Sequence, residues 1–142
     1  LAGKFVARGW SIKEMHRQMG SELVFGDDGL LKRGLLIRLL VLPNDLAGLE
    51  ENLRWIRDEL GPKTAISLMA QYYATNKAAT DPRYILLSRR ISEGEWFEAV
   101  SLLEDLGMEE GFMQEYESAS YYYRPDFEDK ERPFRDIRDF QL

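Results

Sequence analysis

Arg38 is the residue whose surroundings point most directly to chemistry. It sits in Gly34-Leu35-Leu36-Ile37-Arg38-Leu39-Leu40-Val41-Leu42-Pro43-Asn44-Asp45-Leu46-Ala47-Gly48, an apolar run that breaks sharply into a loop and helix. A continuous apolar run bounded by Gly and Pro predicts a strand covered on both faces, as in a parallel sheet. A guanidinium there is costly unless something anionic meets it. Arg38 therefore pairs with an internal carboxylate, faces water from an edge strand, or reaches into a site as a fork for a carboxylate or phosphate.

Gln71 and Gln114 fall in two further strand-like runs, residues 64–72 and 111–116. Successive side chains on a strand point to opposite faces. Leu36, Arg38, Leu40 and Leu42 then share one face of the first strand. Ser67, Met69, Gln71 and Tyr73 share one face of the second, and Gln114 sits with Phe112 and Tyr116 on the third. In a sheet curled into a barrel, Arg38, Ser67, Gln71 and Gln114 would line the interior. Ligands in such folds sit at the carboxyl ends of the strands, which puts Pro43, Asn44, Gln71, Tyr72 and Tyr73 near the mouth. Both glutamines read as readily as satisfied core amides.

The other candidates read as structural. His16, between Lys13, Glu14 and Arg17, is a solvated helix histidine. Met15 and Met19 look like core, and Asn44-Asp45 like a turn or helix cap. Asp27-Asp28 lacks the further oxygen ligands of a calcium loop. Tyr121-Tyr122-Tyr123 reads as packing, with stacking on a base or peptide as the alternative. Neither a Gly-rich phosphate loop nor a nucleophile elbow is present.

The elements that must hold these residues carry clear punctuation. Ser11-Ile12-Lys13-Glu14 and Ser92-Glu93-Gly94-Glu95 both read as capping boxes, opening helices that Gly20 and Gly107 close. A middle helix over residues 47–60 carries Leu46, Leu49, Leu53, Ile56 and Leu60 as one apolar stripe, and Gly61-Pro62 ends it. Leu23-Val24-Phe25 and Leu30-Leu31 flank a turn at Asp27-Asp28-Gly29. Helices alternating with strand-like runs predict an α/β fold with a parallel sheet. Residues 118–142 mix charge and aromatics without a period and read as an irregular extension packed on the body.

Composition bounds the function. The 142 residues hold enough chain for one domain with a real core. A net charge of −6 with interspersed basic residues disfavours broad nucleic-acid binding. No run approaches the roughly eighteen apolar residues of a membrane span, which makes a cytoplasmic location the default. With no cysteine and one histidine, this chain ligates no iron–sulfur cluster and no multi-histidine metal. A first residue of Leu rather than Met suggests a piece of a longer protein.

Glu14-Met15-His16-Arg17-Gln18-Met19-Gly20, Gly34 to Asp45, Ile66-Ser67-Leu68-Met69-Ala70-Gln71-Tyr72 and Phe112-Met113-Gln114 together resemble the C-terminal half of radical S-adenosylmethionine proteins. The group in question is similar to pyruvate formate-lyase activating enzyme, and the resemblance covers residues 14–116. It implies the C-terminal portion of a partial (β/α) barrel over residues 1–117. It implies an oxidoreductase whose N-terminal part holds a [4Fe–4S] cluster through Cys-x-x-x-Cys-x-x-Cys. That cluster reduces S-adenosylmethionine to a radical that abstracts hydrogen from a glycine of a partner enzyme. It sets the strand from Ile37 to Val41, Leu40 included, against the adenine. Arg38 matches a basic position near the site, and Gln71 and Tyr72 a strand end near the nucleoside. The missing cysteines imply that this chain alone is inert, a C-terminal fragment that pairs with a second copy through open strand edges. The alternative is a cluster-free α/β domain that binds a protein partner or a small anion.

Overall fold

The computed structural model of the chain describes residues 2–116. The extension expected over 118–142, with its tyrosine run, lies outside the described residues. The chain opens with α1 (Ala2–Met19), closed by Gly20 at a φ of 77°. Helix α1 runs straight through Ser11, so the first expected capping box does not form. Glu14 instead takes Arg17 and Gln18 as partners one turn further on. Met15 and Met19, expected in the core, are exposed.

A short antiparallel hairpin follows, β1 (Val24–Phe25) with β2 (Leu31–Arg33), around the expected turn. Then come β3 (Leu36–Leu40), a tight turn at Pro43–Asp45, and α2 (Leu49–Leu60). Strand β4 (Ala65–Met69) leads through the small helix α3 (Lys77–Thr80) and a turn at Pro82–Leu87 to α4 (Glu93–Asp105) and β5 (Gly111–Met113). The second capping box is present as expected: Ser92 Oγ accepts from Glu95 N, and Glu95 Oε2 accepts from Ser92 N.

Strands β3, β4 and β5 form one parallel sheet in that order, so the chain is α/β as its alternation predicts. The strands are shorter than the apolar runs. β4 stops because Tyr72 N turns back to Ala70 O at 2.9 Å. At the far edge, β5 comes close enough to β4 that a Cβ on Gly111 would collide with the Ile66 backbone, and Gly111 also holds a φ of 130°. Only glycine fits both demands.

The core lies on one face of this sheet. Ile66, Leu68, Val41 and Ala70 meet Leu49, Leu53, Ile56 and Leu60 of α2 and Trp96, Ala99 and Leu103 of α4. Helix α1 packs on α2, with Gly9 against the Trp55 ring and a Lys13–Glu59 ion pair. Leu46, expected in the α2 stripe, lies outside the helix and is 45% exposed, while Leu53 is 0% exposed. The difference gives a direct test. Leu53→Ala should destabilise by about 2–5 kcal/mol, through lost burial and the cavity left behind. Leu46→Ala should stay within about 0.5 kcal/mol of wild type. Urea unfolding followed by far-UV circular dichroism measures both.

Candidate functional site

Among the described residues, neither α2 nor α4 packs on the second face of the sheet. Register aligns Arg38, Ser67 and Phe112 in one row, and Leu40 with Met69 in the next. Gln114 N continues the ladder to Leu68 O at 3.2 Å, which puts Gln114 beyond Phe112 at the carboxyl end. Arg38 and Phe112 are exposed; Leu36, Leu40, Ser67 and Met69 are half-buried.

The strand carrying Arg38 was expected to be covered on both faces. Among the described residues it is an edge strand and Arg38 is exposed, so the guanidinium keeps its hydration and needs no internal counter-charge. Its hydrogen bond goes from Nη2 to Met69 Sδ, at 2.8 Å. A thioether is a weak acceptor. Among the described residues Arg38 has no carboxylate within ion-pair distance; the pairs formed use Lys13, Arg17, Lys32, Arg54, Arg57, Arg83 and Arg89. Five donors fixed in one plane on an exposed side chain are suited to a carboxylate or phosphate.

The other candidates divide. Leu40 lies one row from Arg38 on the same face. Gln71 and Tyr72 lie past the end of β4, where the chain has turned, so strand alternation no longer orients them. The Tyr72 hydroxyl donates to Leu87 O at 2.7 Å, and burial raises its pKa. It ties the chain to itself. The Gln114 side-chain carbonyl is buried with no hydrogen-bond partner among the described residues. His16 Nε2 meets Ser21 Oγ at 2.6 Å at the end of α1, far along the chain from this row. Asp28 pairs with Lys32. Among the described residues no group of three His, Cys, Asp or Glu side chains could hold a metal ion.

A second polar constellation was not legible in the sequence as a unit. It is centred on Glu95. Its Oε1 accepts from Asn44 N at 2.7 Å and from Arg89 Nη2 at 2.8 Å. Its Oε2 accepts from Arg89 Nη1 and Ser92 N, both at 2.7 Å. Arg89 Nη2 also donates to Asn44 Oδ1 at 3.0 Å, and Asn44 Nδ2 to Leu86 O at 2.7 Å. Asn44 and Asp45 both take left-handed backbone, at φ of 57° and 50°. Asn and Asp tolerate that region better than other side-chain-bearing residues. Asn44 and Asp45 form the expected turn, and Asp45 Oδ1 accepts from Leu49 N at 3.0 Å, while the N-cap residue of α2 is Gly48. The Ser92-x-x-Glu95 spacing marks Glu95 as half of a capping box, which is one of its tasks; Arg89 carries no sequence signal.

On the helix side, a groove of about 640 Å³ lies beside this constellation. Its charged lining, Asp45, Glu50, Glu95, Glu98 and Asp105, is wholly acidic, so it does not suit an anion. No helix among the described residues is long and apolar enough to cross a membrane. No family model, curated protein or solved structure matches this chain.

The hydrogen bond with Arg89, helped by the Asn44 and Ser92 amides and opposed by burial, holds the Glu95 carboxyl well below the ordinary glutamate value of 4.5. A carboxylate whose folded pKa is depressed stabilises the fold fully above its unfolded value. That contribution is lost as pH falls from about 4.5 through the lower folded value. Glu95→Gln should therefore be less stable than wild type at pH 7, and the gap should close as pH falls below 4.5. Urea midpoints at pH 7, 5, 4 and 3 test this. A gap that stays constant with pH would remove the ionised Glu95 from the account.

Proposed function

We propose that this chain is the C-terminal part of a radical S-adenosylmethionine enzyme of the pyruvate formate-lyase activating type. Its share of the site is the wall of the sheet that bears Arg38 and Leu40. The observation that carries this reading is a parallel-sheet face with neither α2 nor α4 against it, on which the exposed Arg38 guanidinium, at the middle of β3, has no carboxylate partner among the described residues. Parallel sheets are normally covered on both faces. Three parallel strands in chain order, with α2 and α4 on one face, are also what a portion of a (β/α) barrel requires. The face bearing Arg38 would then be the barrel interior.

The chain's residues do not fit the cluster the family uses, because there is no cysteine. They do fit part of the nucleoside cofactor. Arg38 would take an anionic group and Leu40 would offer an apolar surface beside it. Gln114, past the carboxyl end of β5, holds a buried carbonyl with no hydrogen-bond partner among the described residues. When bound, S-adenosylmethionine would supply the radical chemistry, either glycyl-radical activation or a related hydrogen abstraction on a protein partner. What this chain does is bind and orient. A cytoplasmic location and pairing of two copies through the outer edges of β3 and β5 belong to the same proposal.

A second reading rests on the absence of cysteine together with Arg38: a cluster-free domain that binds a small anion.

Sequencing the gene upstream of the Leu1 codon separates the two. An in-frame Cys-x-x-x-Cys-x-x-Cys is expected, and a start codon with no cysteine before Leu1 would overturn the first reading. Titrating S-adenosylmethionine into the encoded protein by calorimetry should give binding that Arg38→Ala weakens by about tenfold or more, a charge-assisted bond being worth about 1.5–3 kcal/mol. Unchanged binding by a folded Arg38→Ala protein would remove Arg38 from the site.

A further inference from the structure

We propose that the groove on the helix side receives a basic amphipathic helix from a protein partner, independently of what the Arg38 face binds. The groove, of about 640 Å³, is lined by the turn after β3, the start of α2 and the exposed face of α4. Val41, Leu42, Leu49, Phe97 and Leu102 give it an apolar surface, and every charged side chain along it is acidic. Phe97 is 61% exposed, a large ring left in water at this groove. An apolar surface rimmed by polar groups is the mark of an interaction site. The sign of the rim selects a cationic occupant.

Three of the carboxylates have work within the fold. Glu95 holds Arg89, Asn44 and Ser92, Glu50 pairs with Arg54, and Asp45 accepts from Leu49 N. Glu98 and Asp105 do not. Neither belongs to an ion pair among the described residues. Asp105 also ends α4, whose last turn has no basic residue. The backbone carbonyls there already carry partial negative charge, so Asp105 works against its own helix. A cation arriving from outside relieves that repulsion.

Spacing gives the occupant its form. Glu98, Leu102 and Asp105 follow one another at four and three residues and share one face of α4. At about 1.5 Å per residue the two carboxylates stand about 10 Å apart along the axis, two helical turns. The same distance separates positions i and i+7 of a partner helix, with i+3 and i+4 turned to the same side. Arg or Lys at i and i+7, with apolar residues between them, therefore meets both carboxylates and the apolar surface together. Strand β3 ends at Leu40, and no strand residue lines the groove. An extended peptide would find no ladder for its backbone, whereas a helix satisfies its own.

Fluorescence anisotropy of the whole chain with a labelled peptide of about 15 residues, long enough to form a helix, tests the proposal. The peptide carries Arg at i and i+7 and Leu at i+3 and i+4 on an alanine frame. Saturable binding at one site is expected. Glu98→Gln with Asp105→Asn should weaken it about fivefold or more. Phe97→Ala should weaken it by about as much. Glu104→Gln with Glu109→Gln removes the same charge from exposed side chains outside the groove, and should leave affinity within about twofold of wild type. Every substituted side chain is exposed, so all these variants should keep the wild-type far-UV circular dichroism. Equal weakening by the two double variants would reduce the binding to net charge and overturn the proposal. Equal binding of a peptide with Ser in place of both Leu, or no binding at all, would overturn it too. Sedimentation of the whole chain tests the other occupant. A dimer that Glu98→Gln with Asp105→Asn dissociates would give the groove to a second copy and overturn the partner helix.

Discussion

Every connection within the main sheet has to cross over, and that constraint shapes the rest of the molecule. Strand β4 pairs in parallel with both β3 and β5. Parallel neighbours cannot be joined by a tight turn, so each link must leave one end of the sheet and return to the other. Helices α2 and α4 make those returns and meet in one core on the same face of the sheet. The central strand is thereby sealed, with Leu68 at 0% exposure. The opposite face receives no cover from either crossover. That the face carrying Arg38 has neither crossover helix on it follows from the winding.

The same constraint gathers the polar residues. Parallel strands all end at one edge, so the turns after β3 and β4 emerge side by side. One holds Asn44 and the other leads into residues 71–90. Glu95, at the start of α4, returns to that edge and accepts donors from both. One carboxylate therefore caps a helix, pins a left-handed turn and ties down a long loop. It stays charged because four donors meet its two oxygens. Arg38 makes the contrast: its guanidinium rests on a thioether and keeps its donors for something else.

Much of the secondary structure was legible because its signals are local. Ser92 and Glu95 sit three residues apart and satisfy each other's backbone. Leu49, Leu53, Ile56 and Leu60 fall on one stripe and are all buried. Local signals also misled. Ser11-x-x-Glu14 has the spacing of a cap yet lies within α1, because a cap forms only where the helix actually begins. Met15 and Met19 are apolar but no element among the described residues buries them. The run from 64 to 72 is apolar and β-rich, but only Ala65–Met69 finds partners on its edges.

What the sequence by itself determined is the order of elements, their main periodicity and the chemistry the chain lacks. Each rests on residue type and spacing, which folding does not change. No arrangement of a chain without cysteine offers a thiolate to an iron–sulfur cluster. Only the tertiary structure decided that Arg38 is exposed among the described residues and that Arg89 and Glu95 close on Asn44 across the loop. Residues 44 and 89 are too far apart in the chain for any periodic signal to link them, and their contact is set by where two parallel strands end. Burial follows the same rule: a strand's pattern says which residues share a face, and only packing says whether anything covers it.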